Sequence, residues 1–268
     1  FNHAGTLLAT VGWDGKLRLW DTRTGHLLFS TTSAGLGPPR FSPDDRFLSV
    51  DIRDGSVGLW EIAAGQEYQT LVRTPVSMFG PDYHATIHPD GRLLGVGMNG
   101  GVGLWDLADG REVAFLSLPG NQAALFEPTG ALLTNGTNGL FRWPVRTDQA
   151  ARERLRVGPP QKLNLPGSIF NLAQSRDGRV TASAQYRGGV ALHTDPPGQP
   201  VPLAPHHDTR YVGVSPDGKL AATSSHGQSA VQIWDPAKGT LVKQLPDVAW
   251  GPVQFSPDGK WLGTTAYR

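Results

Sequence analysis

One short phrase returns six times along the chain and restricts it to architectures built from stacked copies of a single unit. It reads GKLRLWD at 15–21, GSVGLWE at 55–61, GVGLWD at 101–106, GLFRWP at 139–144, GGVALHT at 188–194 and SAVQIWD at 229–235. Its aromatic anchors are Trp20, Trp60, Trp105, Trp143, His193 and Trp234, separated by 40, 45, 38, 50 and 41 residues. A period near 43 residues marks a repeat array, in which each unit covers an apolar face of the next.

Each period carries three chain reversals. The first is SPDG or a relative of it, at 42–45, 88–91, 127–130, 175–178, 215–218 and 256–259. Pro presets φ, the Asp side chain bonds back to the backbone, and Gly accepts the exit geometry. The second is Asp-Gly (14–15, 54–55), Gly-Gly (100–101, 188–189) or Asn-Gly (138–139), the pairs that a two-residue hairpin demands at positive φ. The third is the Gly closing DTRTG (21–25), EIAAG (61–65), DLADG (106–110) and DPAKG (235–239). Three reversals make four antiparallel strands, lettered a to d. The 34 Gly and 22 Pro of the chain supply this punctuation.

Between turns the apolar residues alternate, as in Leu17 and Leu19, Val57 and Leu59, Val231 and Ile233, so each strand has two distinct faces. A four-stranded sheet cannot bury both faces alone, and neighbours must stack on it. The predicted fold class is therefore all-β, a β-propeller of four-stranded antiparallel blades. The chain opens at an a–b turn and finishes after strand b of a new period, giving six repeats plus a partial one. A seven-bladed ring is expected in the parent protein, with residues 1–268 forming a single domain and a segment of a longer chain. A six-blade closure, with 250–255 completing the first blade, and a double propeller are the alternatives.

The pattern resembles the WD repeat (WD40) in its FSPDG…LWD form, familiar from bacterial proteins, and the likeness runs over essentially the whole chain. It implies that the anchor Trp packs between blades, while a His before the first strand, a Ser or Thr, and the turn Asp form a hydrogen-bonded network. The turn Asp is kept at Asp14 and Asp54, and His206 or His207 is the nearest candidate for the His. The expectation is a propeller held by packing, with few intact networks. His193, at a Trp position, reads as a smaller packing substitute.

The resemblance also implies a face, formed by the b–c and d–a loops, that binds protein or peptide. The b–c loops present Trp13, Arg53, Asn99, Tyr186, Arg187 and His226; the d–a loops present Phe79, Tyr83, Arg210 and Trp250. Aromatic and Arg residues are the usual interface anchors. The implied function is a non-catalytic scaffold or sensor within a larger bacterial signalling protein such as a Ser/Thr kinase. An enzyme-associated or small-ligand-binding propeller and a rigid structural spacer are the alternatives.

Other chemistry is excluded motif by motif. GVGMNG (95–100) fits a dinucleotide fingerprint, but a strand follows it where that fingerprint needs a helix N-terminus. HHD (206–208) offers ligand types without the third or fourth ligand a metal site requires, and the remaining His residues are scattered. No nucleophile–base pairing is readable and no cysteine exists, so neither catalytic residues, a metal nor a cofactor is assigned. With 24 basic and 23 acidic residues, net charge gives no argument for nucleic acid. No apolar run reaches the ~20 residues that span a bilayer, so no membrane contact is assigned to this segment. The compartment stays open, with the cytoplasm slightly favoured.

One stretch departs from the period. Residues 144–168, PVRTDQAARERLRVGPPQKLNLPGS, hold Arg146, Arg152, Arg154, Arg156 and Lys162. They are read as a lengthened c–d connection with a helical turn at 149–156, or as a partner-docking arm.

Overall fold

The alternation of apolar residues is realised as strands throughout. The computed structural model describes all residues except 13, 33–37, 52–56, 63–67, 72–83, 99, 109, 119, 121–122, 137–138, 149–153, 166, 195–196, 227–229, 247–250 and 265–268, and no helix occurs among those described. The first sheet orders β1 (Leu7–Val11), β2 (Lys16–Asp21) and β3 (Leu27–Thr32). The second runs β4 (Arg40–Phe41), β5 (Phe47–Asp51), β6 (Val57–Glu61), β7 (Tyr68–Leu71), and the third β8 (His84–Ile87), β9 (Leu93–Met98), β10 (Gly101–Asp106), β11 (Glu112–Ser117). The fourth joins β12 (Ala124–Phe126), β13 (Leu132–Gly136) and β14 (Gly139–Trp143). A separate two-stranded ribbon, β15 (Val145–Asp148) and β16 (Arg154–Val157), follows before the sheet's outer strand β17 (Gln161–Leu163).

The fifth sheet is β18 (Asn171–Gln174), β19 (Val180–Gln185), β20 (Gly188–His193) and β21 (Val201–Leu203). The sixth is β22 (Thr209–Val214), β23 (Ala221–Ser225), β24 (Ala230–Asp235) and β25 (Thr240–Pro246), and a last pair joins β26 (Val253–Phe255) to β27 (Leu262–Thr264). The strands of each blade lie in chain order, as three hairpin reversals require. Sheet one holds strands b to d and the last pair strands a and b, so six repeats are followed by a partial one. Residues 253–255 pair with β27, in their own sheet.

Two compact units emerge, Phe1–Thr134 with Arg142–Gln161, and Asn135–Phe141 with Lys162–Arg268. Within the first, Leu17, Phe41, Leu48 and Val50 form one apolar layer between the first and second sheets. Val57, Leu59, Ile87, Leu94, Val96, Met98 and Trp105 form the next. Within the second unit, Val180, Ala182, Ala184, Val212 and Val214 join the fifth and sixth sheets. Tyr211, Val231, Val253 and Phe255 carry the stacking onward to β26. Each side chain of Val or Leu size buried in these layers stabilises by about 1.5–3 kcal/mol, so the stacking between sheets carries most of the cohesion.

The SPDG reversal repeats as one device. Ser215 Oγ donates to Asp217 Oδ1 at 2.7 Å and accepts the Leu220 N–H at 2.9 Å, while Asp217 Oδ1 accepts the Lys219 N–H at 3.1 Å. The same set recurs at Ser175–Asp177 and Ser256–Asp258. The serine hydroxyl beside each of Asp177, Asp217 and Asp258 holds its carboxyl below the ordinary carboxylate value. Copies that depart from the consensus add other partners to this set, which the Ser42–Asp44 turn also keeps. Asp45 stands where Gly is usual, at φ 59°. Its carboxylate accepts the His3 and Ala4 N–H groups at 2.6 and 2.8 Å and the Asn2 amide at 3.1 Å. Arg176, in the Pro position, donates its backbone N–H to Pro216 O and its guanidinium to Pro257 O.

The expected helical turn at 149–156 is overturned where it can be seen. Arg154–Val157 is a strand, paired antiparallel with Val145–Asp148, and 149–153 lie outside the described residues. Period two decides the outcome: Val145, Leu155 and Val157 all pack with Trp143 against the Leu104–Phe126 layer, which only a strand can align. The c–d connection is lengthened, as read, by a β-ribbon.

Trp105 is 2% exposed and needs room beside its own strand. A Cβ on Gly103 would lie 2.4 Å from the Trp105 ring and 2.8 Å from Met98 Cε. Gly103→Ala should therefore overpack this layer and cost about 1–3 kcal/mol, read as a lowered Tm with unchanged far-UV circular dichroism.

Candidate partner-binding face

The indole of each anchor strand points at a fixed place on its neighbour. Trp20 pairs with Leu8, Trp60 with Leu48, Trp105 with Leu94, His193 with Val180 and Trp234 with Ala221. Two residues beyond those partners stand Thr10, Val50, Val96, Ala182 and Thr223. Where a threonine stands there it takes the indole proton: Trp20 Nε1 donates to Thr10 Oγ1 at 2.9 Å and Trp234 Nε1 to Thr223 Oγ1 at 2.8 Å. Trp143 does the same with Thr134, at 2.9 Å. With Val96 in that place, Trp105 Nε1 is buried without a partner among the described residues. His193 turns elsewhere, its Nε2 lying 3.2 Å from Pro236 O, so the substitute is a polar bridge as well as a filler.

Among the described residues, only the sixth sheet adds a histidine to the Trp–Thr pair. His206 is 1% exposed, with Nδ1 2.7 Å from Thr223 Oγ1. Its carbonyl accepts the Thr209 hydroxyl at 2.6 Å. Burial pushes its pKa from 6.5 down to about 4, opposed by the Ala230 backbone, so the ring is neutral at pH 7. Of the two candidates it is His206 that enters the network; His207 is exposed and offers its carbonyl to the Ser225 hydroxyl.

The HHD motif thus splits by direction, and its third member organises the outside. Asp208 lies at φ 52°, a left-handed conformation that Asp tolerates better than most residues. Its N–H donates to Tyr186 O at 2.6 Å, and its carbonyl accepts the His226 N–H at 2.9 Å. One carboxylate oxygen accepts Arg210 Nε at 2.8 Å and lies 2.7 Å from Nη2. The other oxygen is 3.6 Å from His226 Nδ1. The Arg210 guanidinium lies 4.3 Å from the Phe170 ring centroid, a cation–π distance. One aspartate therefore fixes two b–c loops and the start of β22.

Three residues proposed for the binding face meet here, Arg210 half-buried in the ion pair and Tyr186 and His226 exposed beside it, Tyr186 at 58%; Arg187 follows Tyr186 in the same turn and is exposed. Trp13, Arg53, Phe79, Tyr83, Asn99 and Trp250 lie outside the described residues. Sequence reading missed Asp208 as the hub and Phe170 as the platform. The first was hidden by being read as a metal-ligand type, whereas an Asp just before a strand, two residues from an Arg, is the signal that could have found it. Phe170 carries no local signal, because its role depends on a residue 40 positions away in the next sheet.

A family model described as WD domain, G-beta repeat, matches residues 1–21. The nuclear distribution protein PAC1 of Arthroderma benhamiae and that of Trichophyton verrucosum are each 34% identical over 82 residues, covering 30% of this chain and 17% of the relative. The chain therefore matches only a small part of those curated relatives. Among solved structures, the β-propeller domain of Cps50 (Swd1) from Myceliophteria thermophila superposes with a TM-score of 0.78 at 20% identity, covering 100% of this chain and 92% of that one. Hydrazine synthase of Kuenenia stuttgartiensis gives 0.74 at 18% identity, over 99% and 91%. At these identities the likeness to solved structures carries the fold.

Two outcomes are expected of the buried network. Thr223→Val removes the shared hydroxyl and leaves both the Trp234 indole and the His206 ring short of a partner. It should cost about 1–3 kcal/mol in chemical denaturation. The His206 pKa is lowered on folding, so below about pH 6.5 the unfolded chain binds a proton that the folded chain refuses until about pH 4. This contribution is fully present above pH 6.5 and is lost as pH falls toward 4. The denaturation midpoint should fall over that window, and less steeply in His206→Gln.

Proposed function

We propose that this β-propeller, matched over residues 1–21 by the WD domain, G-beta repeat model, is a WD-repeat propeller acting as a non-catalytic platform that recognises a protein or peptide, within a larger signalling protein of the bacterial Ser/Thr kinase type. WD-repeat propellers generally serve as protein-interaction scaffolds. One observation carries the reading to residues: Tyr186, Arg187 and His226 stand exposed around the Asp208–Arg210–Phe170 hub.

The hub suits this work because it is held in place before anything binds. Asp208 fixes both loop backbones, and Arg210 is oriented by its carboxylate on one side and by an aromatic face on the other. Little conformational entropy then remains to be lost on association. Tyr186 offers a large, stiff, amphipathic contact with few rotatable bonds. Arg187, beside it in the same turn, supplies a fork suited to carboxylates and backbone carbonyls. The placement of the remaining proposed contacts, Trp13, Arg53, Phe79, Tyr83, Asn99 and Trp250, follows from repeat position.

Peptides selected from a displayed random library against the chain provide the test. In Tyr186→Ala/Arg187→Ala, the affinity of selected peptides should fall by about tenfold or more, the scale of losing one or two interface anchors, with Tm unchanged. Retention of wild-type affinity by the double variant would place the site elsewhere.

A further inference from the structure

We propose that the Asp208 hub selects acidic peptides, with the Arg187 guanidinium taking an Asp or Glu carboxylate of the bound segment. The proposal rests on the reading of the hub as a peptide platform and names the chemistry that the platform prefers. Antiparallel pairing puts the a–b and c–d turns of a sheet at one end and its b–c and d–a loops at the other. Residues 162–268 contain no Glu, and Asp195 and Asp247 lie outside the described residues. Of the other aspartates, Asp177, Asp217 and Asp258 stand in a–b turns and Asp235 at a c–d turn, while Asp208 alone stands at the loop end.

The two ends also differ in how their charges are met. At the turn end every one of these carboxylates has a cation beside it. Arg179 Nε lies 3.7 Å from Asp177, and the ammonium groups of Lys219, Lys238 and Lys260 lie 3.4, 3.2 and 3.4 Å from Asp217, Asp235 and Asp258. At the loop end Asp208 is engaged by Arg210 on one oxygen and faces His226 with the other. Arg187 is exposed, and its guanidinium has no hydrogen bond or ion pair among the described residues. Two arginines therefore stand against one carboxylate, which leaves a positive charge uncompensated before the exposed His207 and His226 are counted.

The place of that charge fits a peptide carboxylate. Arg187 follows Tyr186, whose carbonyl is held by the Asp208 N–H at 2.6 Å, so the turn that presents it is fixed before binding. A guanidinium fork matches both oxygens of a carboxylate, and the Tyr186 ring beside it can cover the apolar part of the same segment. A phosphate backbone takes a continuous basic track, which the Asp208 carboxylate interrupts here.

The test is fluorescence anisotropy of the whole chain with labelled peptides of one sequence frame that carry Glu, Gln or Lys at the same positions, at low and at physiological salt. The Glu peptide should bind saturably and about tenfold or more tighter than the Gln peptide, the scale of a close charge pair, and the gap should narrow with salt. Arg187→Gln should close the gap with Tm unchanged, and Arg187→Lys should keep part of it. Lys219→Gln, at the turn end, should leave the gap as in the unsubstituted chain. Tyr186→Ala should weaken the Glu and Gln peptides alike. Equal affinity for these two, preference for the Lys peptide, a gap that survives Arg187→Gln, or no saturable binding of the Glu peptide would each overturn the acidic preference. The platform reading fails separately, if no peptide from the displayed library loses affinity in Tyr186→Ala/Arg187→Ala.

Discussion

The contact on which everything else rests is the stacking of one sheet's middle-strand side chains on the first strands of the next sheet. No blade here can bury itself. Strand pairing sets the direction of each side chain, but only the neighbouring sheet removes it from water, as in the layer joining Val57, Leu59, Val96 and Trp105. The anchor indoles make this contact more than an apolar one. A ring that large brings a polar N–H into the layer, and burial favours a partner for it. Among the described residues a threonine takes it in three blades, joined by a histidine in one of those, His193 lies against a carbonyl of the next blade, and the Trp105 N–H stays without a partner.

Period and turn chemistry made the architecture legible because both act locally. Asp21, Asp106 and Asp235 follow the anchors and accept N–H groups of their own turns, and Gly25, Gly110 and Gly239 close those turns at φ near 70°. A residue pattern only a few positions long contains that information. Residues 154–156, at the end of the expected helical turn at 149–156, were misread because a run rich in Ala, Arg and Glu has the composition of a helix. Tertiary packing of Val145, Leu155 and Val157, with Trp143, against the Leu104–Phe126 layer overrode that preference.

The outer site was half legible for the same reason. Repeat position placed Tyr186, Arg187 and His226 on b–c loops, since each lies at a predictable distance from its anchor; Arg210, expected on a d–a loop, stands in strand β22, which starts one residue earlier. What draws Tyr186, Arg210 and His226 together is Asp208, through its N–H to the Tyr186 carbonyl and its carboxylate beside Arg210 and His226; its left-handed backbone is a property of the assembled loops and has no counterpart in the periodic pattern. Fold alone does not decide what such a cluster holds; its residues do.

The reversals that departed from SPDG carry a further meaning. Asp45 holds the backbone of His3 and Ala4, Arg176 reaches two turns at Pro216 and Pro257, and His88 sets its ring edge against Phe126 at 5.0 Å. Each consensus turn is self-sufficient and would fit beside any neighbour, whereas each of these is complementary to one particular neighbour. Departure from the shared phrase therefore gives the copies addresses. The modules have a fixed order, and a recombinant with two blades exchanged would keep every hairpin intact while losing the contacts that tell one junction from the next.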